Sequence, residues 1–175
     1  MYLKESDLKP APNWVGCLVL KDLSGRVGAV VARSQGLAPP QPTTEELLDL
    51  NQKFWTWCWY VFGKIERGEL WEALDGIHTI RSIALTPLLD WVAERPHEGY
   101  RRLERKTDPE AASRLMATVA LVQSEALYTA LQAEMVLFRS LRAMVFERYG
   151  LTFDPRPEEM LESEMRRRWT AQEAQ

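Results

Sequence analysis

The chain has 175 residues, 46% of them hydrophobic and 27% charged, and a formal net charge of −3. Its length suits one domain, or a small domain with an appendage, with room for a buried core. The charge balance gives no basic footprint for nucleic acid. Cys17 and Cys58 lack any CxxC or Cys/His spacing, which argues against a zinc site or a disulfide framework. No apolar run reaches the length of a membrane span, and the first seven residues lack the basic-then-apolar order of a signal peptide. The expected location is therefore cytoplasmic, with no nucleic-acid or membrane partner.

Residues 1–13 read as a polar, Pro-rich lead-in. Trp14 to Val27 reads as strand, tight turn and strand, with Asp22-Leu23-Ser24-Gly25 as the turn. A lone hairpin is marginal in water, so residues 1–35 look like the last piece of a larger sheet. Gly36, Pro39, Pro40 and Pro42 mark residues 36–42 as a linker. Thr43 with Glu46 forms a capping-box signature that opens a helix. Leu47, Leu50, Phe54, Trp57, Cys58, Val61 and Ile65 share one face of it, and Leu48, Trp55, Trp59 and Phe62 widen that face. Such a helix packs on two sides. A second helix spans about residues 69–94, kinked at Pro87. A charged connection over 95–107 leads to Asp108-Pro109, which starts a helical stretch closed by Gly150. Forty residues is long for one helix, so a break is expected near 123–125. A last helix covers about residues 157–169. The expected fold is mainly α: a bundle of four to five helices over residues 43–175, behind a short N-terminal antiparallel β-hairpin.

Two charges interrupt the apolar faces. Arg81 falls among Leu74, Ile77, Ala84 and Leu88; Glu134 falls among Leu127, Leu131, Phe138, Leu141 and Val145. A buried charge needs a partner. One reading is a structural Arg81–Glu134 pair inside the bundle. The other has both lining a cleft, with Arg81 facing an anionic group through its planar fork and Glu134 facing a cationic or hydroxylated substrate. Asp75 and His78 precede Arg81 by successive helical turns and would extend a polar cleft wall. Lys64 and Arg67, beside Gly68 and Glu69, sit at a helix junction that would suit a phosphate or simply be an exposed helix end. The tryptophans Trp55, Trp57, Trp59, Trp71 and Trp91 have the spacing of core packing as much as of a stacking platform.

No GxxxxGK[ST], GxGxxG, HExxH or GxSxG signature occurs. The order of features nevertheless resembles a known family. Leu20-Lys21-Asp22-Leu23-Ser24-Gly25-Arg26-Val27 comes first, then Asn51-Gln52-Lys53-Phe54-Trp55 after the Pro-rich linker. Lys64 to Leu74, Ile80 to Leu89, Glu125 to Leu131 and Leu137 to Leu141 follow. Together these resemble the C-terminal part of antibiotic-type nucleotidyltransferases, the group of aminoglycoside adenylyltransferases and lincosamide nucleotidyltransferases. The resemblance implies that the hairpin is the remnant of an α/β nucleotidyltransferase domain and that residues 43–175 are its helical partner. It also implies transfer of a nucleoside monophosphate to a substrate hydroxyl, with Mg²⁺ and a nucleoside triphosphate as the catalytic domain's requirements. The Gly-Ser and Asp-x-Asp motifs of that domain are missing here, so no catalytic or metal-binding residue carries over, no cofactor is assigned to this chain, and inactivity of the chain alone is expected. The resemblance makes Arg81, Glu134, Lys64, Arg67, Asp75, His78 and Tyr128 candidates for a substrate or nucleotide cleft by position.

Two other readings stand beside this one. One is a non-catalytic helical binding or dimerisation module, its hairpin edge pairing with a copy of itself, as a homodimer, or with another chain. The other is an independent enzyme using Asp75, His78 and Glu134. A small molecule or nucleotide is the ligand expected under the first reading.

Overall fold

A computed structural model describes residues 8–173. Its helices are α1 (Arg26–Ser34), α2 (Thr44–Glu66), α3 (Leu70–Ile80), α4 (Thr86–Val92), α5 (Leu103–Lys106), α6 (Pro109–Met116), α7 (Ser124–Tyr149) and α8 (Arg156–Glu173). A short 3₁₀ turn, Pro12–Trp14, precedes them.

α2 and α7 form the centre and are packed against each other. Phe54 of α2 and Phe138 of α7 stack face to face, and Trp55 meets both rings edge-on. α2 begins where its capping box says it should. The Thr43 N–H donates to Glu46 Oε2 at 2.7 Å, and the Glu46 N–H donates to Thr43 Oγ1 at 3.2 Å. α3 lies close against α2 because Gly76 has no side chain: a Cβ there would stand 2.5 Å from Val61 Cγ2.

The helical path begun by α3 runs on past Pro87. It widens into a π turn, Arg81–Leu85, and continues as α4. The Thr86 N–H donates to the Arg81 carbonyl five residues back. The wider turn accommodates a proline that lacks an N–H and would clash with a regular preceding turn. The long C-terminal helical pattern breaks over residues 117–123, ahead of α7. Asp108 caps α6, its Oδ1 accepting from the N–H groups of Glu110 and Ala111 at 2.9 and 3.3 Å. α7 ends at Gly150 in the left-handed region (φ 62°).

The expected β-hairpin is not formed: there is no strand among the described residues. The supposed turn is instead a helix start. Asp22 Oδ2 accepts the Gly28 N–H at 2.7 Å, Ser24 Oγ donates to Asp22 Oδ1 at 3.2 Å, and Gly25 takes φ 70° as the first residue before α1. Four orphan N–H groups at a helix start need such acceptors. Val27, Val30 and Val31 then follow helical spacing, with Val30 buried. Val15 to Leu23 forms no regular element, and Leu18, Leu20 and Leu23 are exposed. The hairpin edge through which a homodimer was expected to pair is absent with the hairpin.

Candidate functional site

The π turn places Arg81 half-buried between α3 and the α6–α7 connection. Its Nη1 donates to the Thr118 carbonyl and, at 3.4 Å, to Thr118 Oγ1. Thr118 is fully buried and is itself fixed, its hydroxyl donating to the Leu115 carbonyl at 2.7 Å. The Tyr100 phenol is a further side-chain partner of Arg81, and no carboxylate among the described residues hydrogen-bonds the fork.

Behind Arg81 lies Glu134 of α7, 0% exposed, with neither carboxyl oxygen hydrogen-bonded. Burial pushes its pKa well above the usual carboxylate range, and the charge of Arg81 offsets this only in part. The two charges singled out in the sequence are therefore electrostatic neighbours, yet they make no direct hydrogen bond. Cys58 of α2 lies within reach of the same carboxyl, and its thiol is pushed up by burial first and by Glu134 second.

The α4–α5 connection supplies Tyr100, which stacks on His78 at 5.6 Å between ring centroids and 25° between planes. Partial burial raises the Tyr100 phenol, and Arg81 works in the opposite direction. His78, Arg81, Tyr100, Leu103, Leu115 and Val119 surround a cleft of about 310 Å³. One cation and two rings line it among apolar side chains, the usual composition of a small-molecule site. The strap carrying Tyr100 is anchored at its ends: Arg95 binds buried Asp90 and the Lys106 carbonyl, and Asp90 Oδ2 lies 2.8 Å from His97 Nδ1.

Of the candidates read from the sequence, His78 and Arg81 line this cleft and Glu134 lies behind it. Asp75 is exposed and does not line it. Lys64 and Arg67 form a separate corner where internal carboxylates already engage them. Lys64 Nζ is 2.7 Å from Glu69 Oε2 and 3.6 Å from Glu72 Oε1, and Arg67 Nε is 2.6 Å from Glu69 Oε1. Tyr60 donates to Glu72 at the same corner. Tyr128 is buried and stacks on Trp169 at 4.4 Å, joining α7 to α8.

Tyr100 and Thr118 are site residues that periodicity does not point to, because both lie in connections. Arg142 and Glu158 form a second buried charged pair, at 2.7 Å, that the sequence reading passed over. A signal was there: Arg142 stands on α7 among Phe138, Leu141, Val145 and Phe146, as Glu134 stands among its own apolar neighbours.

Mg²⁺ is implied by the family that the sequence resembles. Among the described residues, no group of three or more His, Cys, Asp or Glu side chains comes together as a donor set. The residues present do not fit a resident magnesium ion, and no chemical step is derived through one.

No curated protein matches the chain. A family model described as streptomycin adenylyltransferase does match, over residues 14–165. That span takes in α1 to α7, the Arg81 cleft and most of α8. The chain belongs to the streptomycin adenylyltransferase family, a nucleotidyltransferase-like group of the antibiotic-modifying kind.

Proposed function

We propose that this chain supplies the helical, substrate-side part of a nucleotidyltransferase-like activity and does not by itself transfer a nucleoside monophosphate. The observation that carries the reading is the cleft, where an arginine fork and a stacked His–Tyr pair meet over a buried, unpartnered carboxyl. Family membership supports it, as does the lack of any Gly-Ser or Asp-x-Asp in the sequence.

In this reading Arg81 is held by Thr118 and offers its remaining donors to a phosphate or to an acceptor oxygen, for which a planar fork is well suited. His78 and Tyr100 give a flat wall, and Leu103, Leu115 and Val119 exclude water around the bound group. These residues bind and orient; none is assigned a proton or a covalent step.

The test is label transfer. The purified chain is incubated with α-³²P-labelled nucleoside triphosphate, Mg²⁺ and streptomycin, and the acceptor is isolated. No label on the acceptor is expected, and labelled acceptor above the protein-free blank overturns the inactivity. The substrate-side role is read separately by calorimetric titration with streptomycin and with nucleoside triphosphate. At least one should bind, with affinity reduced about ten-fold or more by Arg81→Ala, the loss of a charged hydrogen-bonding group. Binding of neither, or binding indifferent to Arg81, overturns that role.

A further inference from the structure

The cleft contains a more specific chemical request than a place for a substrate. Arg81 carries a permanent charge, and no carboxylate hydrogen-bonds it: Thr118 meets it through a carbonyl and a hydroxyl. Glu134, the acid behind it, is sealed from solvent with both oxygens unpartnered. Burial favours the neutral form of that acid, and a neutral carboxyl does not cancel a guanidinium. The Arg81 side chain lines the cleft with no carboxylate hydrogen-bonded to it. The one carboxylate on the cleft wall is Glu104 of α5, which is exposed and screened by water.

Beside the cation stand two rings already near-parallel, His78 and Tyr100. Around them, Leu103, Ala112, Leu115 and Val119 make the remaining wall apolar. A ring is favoured on such a surface by burial and by stacking together. The volume of about 310 Å³ is at the lower end for ligand pockets and suits one or two fused rings with a substituent.

We propose that the Arg81 cleft is a binding site for a small planar ring bearing one anionic group, the anion on the Arg81 fork and the ring against His78 and Tyr100. An aryl carboxylate and the base-and-phosphate of a nucleoside monophosphate share this chemistry. The assignment deepens the reading given above and relies on it only for the choice of cleft, since binding is measured without transfer.

The experiment uses the full chain and saturation-transfer NMR with calorimetry. Two matched pairs serve as probes: 1-naphthoate against 1-naphthylmethanol, and adenosine monophosphate against adenosine. At least one anionic member is expected to bind about ten-fold tighter than its neutral partner, the scale of one charge-assisted hydrogen-bonded contact. Arg81→Gln should erase that preference, and Tyr100→Leu should weaken both members of the binding pair several-fold. Tyr100→Leu alters a half-exposed side chain in a connection, so it tests the wall without touching the Thr118 tie. Circular dichroism confirms that both variants keep their helices. Preference for naphthoate alone identifies an aryl acid as the occupant, and preference for the nucleotide alone identifies a nucleotide. Binding of none of the four at millimolar concentration, or an anion preference that survives Arg81→Gln, overturns the proposal. Transfer of label to streptomycin would overturn the inactivity of the chain while leaving this result untouched.

Discussion

Glu134 is the residue on which the electrostatics of the core turn. Its carboxyl is completely buried and unpartnered, and burial holds its pKa well above that of a glutamate in the unfolded chain. The consequence for stability has a definite sign. Below the unfolded value, about 4.3, the group is protonated in both states and contributes no difference. As pH rises above it, the unfolded chain releases its proton while the folded chain keeps it. The folded state then loses relative stability by about 1.4 kcal/mol per pH unit until the raised pKa is reached. Glu134→Gln keeps the shape and cannot titrate. Its advantage in melting temperature over the parent should therefore be larger at pH 7.5 than at pH 5, by roughly 2–4 °C for each kcal/mol in a chain of this size. Thermal unfolding followed by circular dichroism at the two pH values checks this. An advantage that does not grow with pH would show that Glu134 is ionised in the folded protein.

At the same scale, the sequence made Arg81 and Glu134 visible because each is a charge inside an apolar stripe. Which groups satisfy them was not visible. Thr118 and Tyr100 reach the site from connections, where no periodicity operates, and a helical wheel does not foresee that a π turn re-aims the residues around Arg81. Lys64 and Arg67 illustrate the opposite case: cations at a helix junction resemble an anion site until Glu69 and Glu72 are seen to engage them.

Among the elements, the helices with strong end signals were legible and the front of the chain was not. Thr43 with Glu46, Asp108-Pro109 and Gly150 each mark a boundary that the structure keeps. Asp22-Leu23-Ser24-Gly25 marks one too, but the same residues serve a hairpin turn and a helix N-terminus. Short apolar runs are ambiguous between the two periods, and here the Asp22 bond to the Gly28 N–H goes with the helix. The Gly76 contact was equally hidden, since nothing in the sequence says that α3 must pass this close to α2. Its energetic meaning is testable. Gly76→Ala would drive a methyl to 2.5 Å from Val61 Cγ2, and valine in a helix has little rotamer freedom with which to yield. A loss of about 1–3 kcal/mol is expected in urea unfolding. In a Val61→Ala background the same change should cost nothing or stabilise, because alanine is the better helix former by about 1 kcal/mol. An equal penalty in both backgrounds would mean that the clash is not the cause.

For the molecule as a whole, the question is what fastens α8 to the bundle. Met165 is fully buried, and Trp169 stacks on Tyr128. Arg139 with Glu162 and Arg168 with Glu66 add polar ties at the surface, and the buried one comes from Arg142. Its two terminal nitrogens take both oxygens of Glu158 at 2.7 and 3.0 Å, and Nη1 also donates to Asn51 Oδ1 of α2 at 2.6 Å. The guanidinium lies 3.6 Å from the Phe153 ring centroid. One cation thus joins α2, α7 and α8 in a dry interior. The attraction between buried charges is offset by the cost of taking both from water, so the pair as a whole adds little, while removing one member leaves the other stranded. Glu158→Ala should accordingly cost about 3–5 kcal/mol. Arg142→Met combined with Glu158→Leu should cost clearly less than that single change, although it alters more atoms. Urea denaturation of the three proteins measures it. If the double variant unfolds at or below the urea midpoint of Glu158→Ala, the Arg142 cluster is a net source of stability, and its bond to Asn51 contributes more than the Coulombic balance allows.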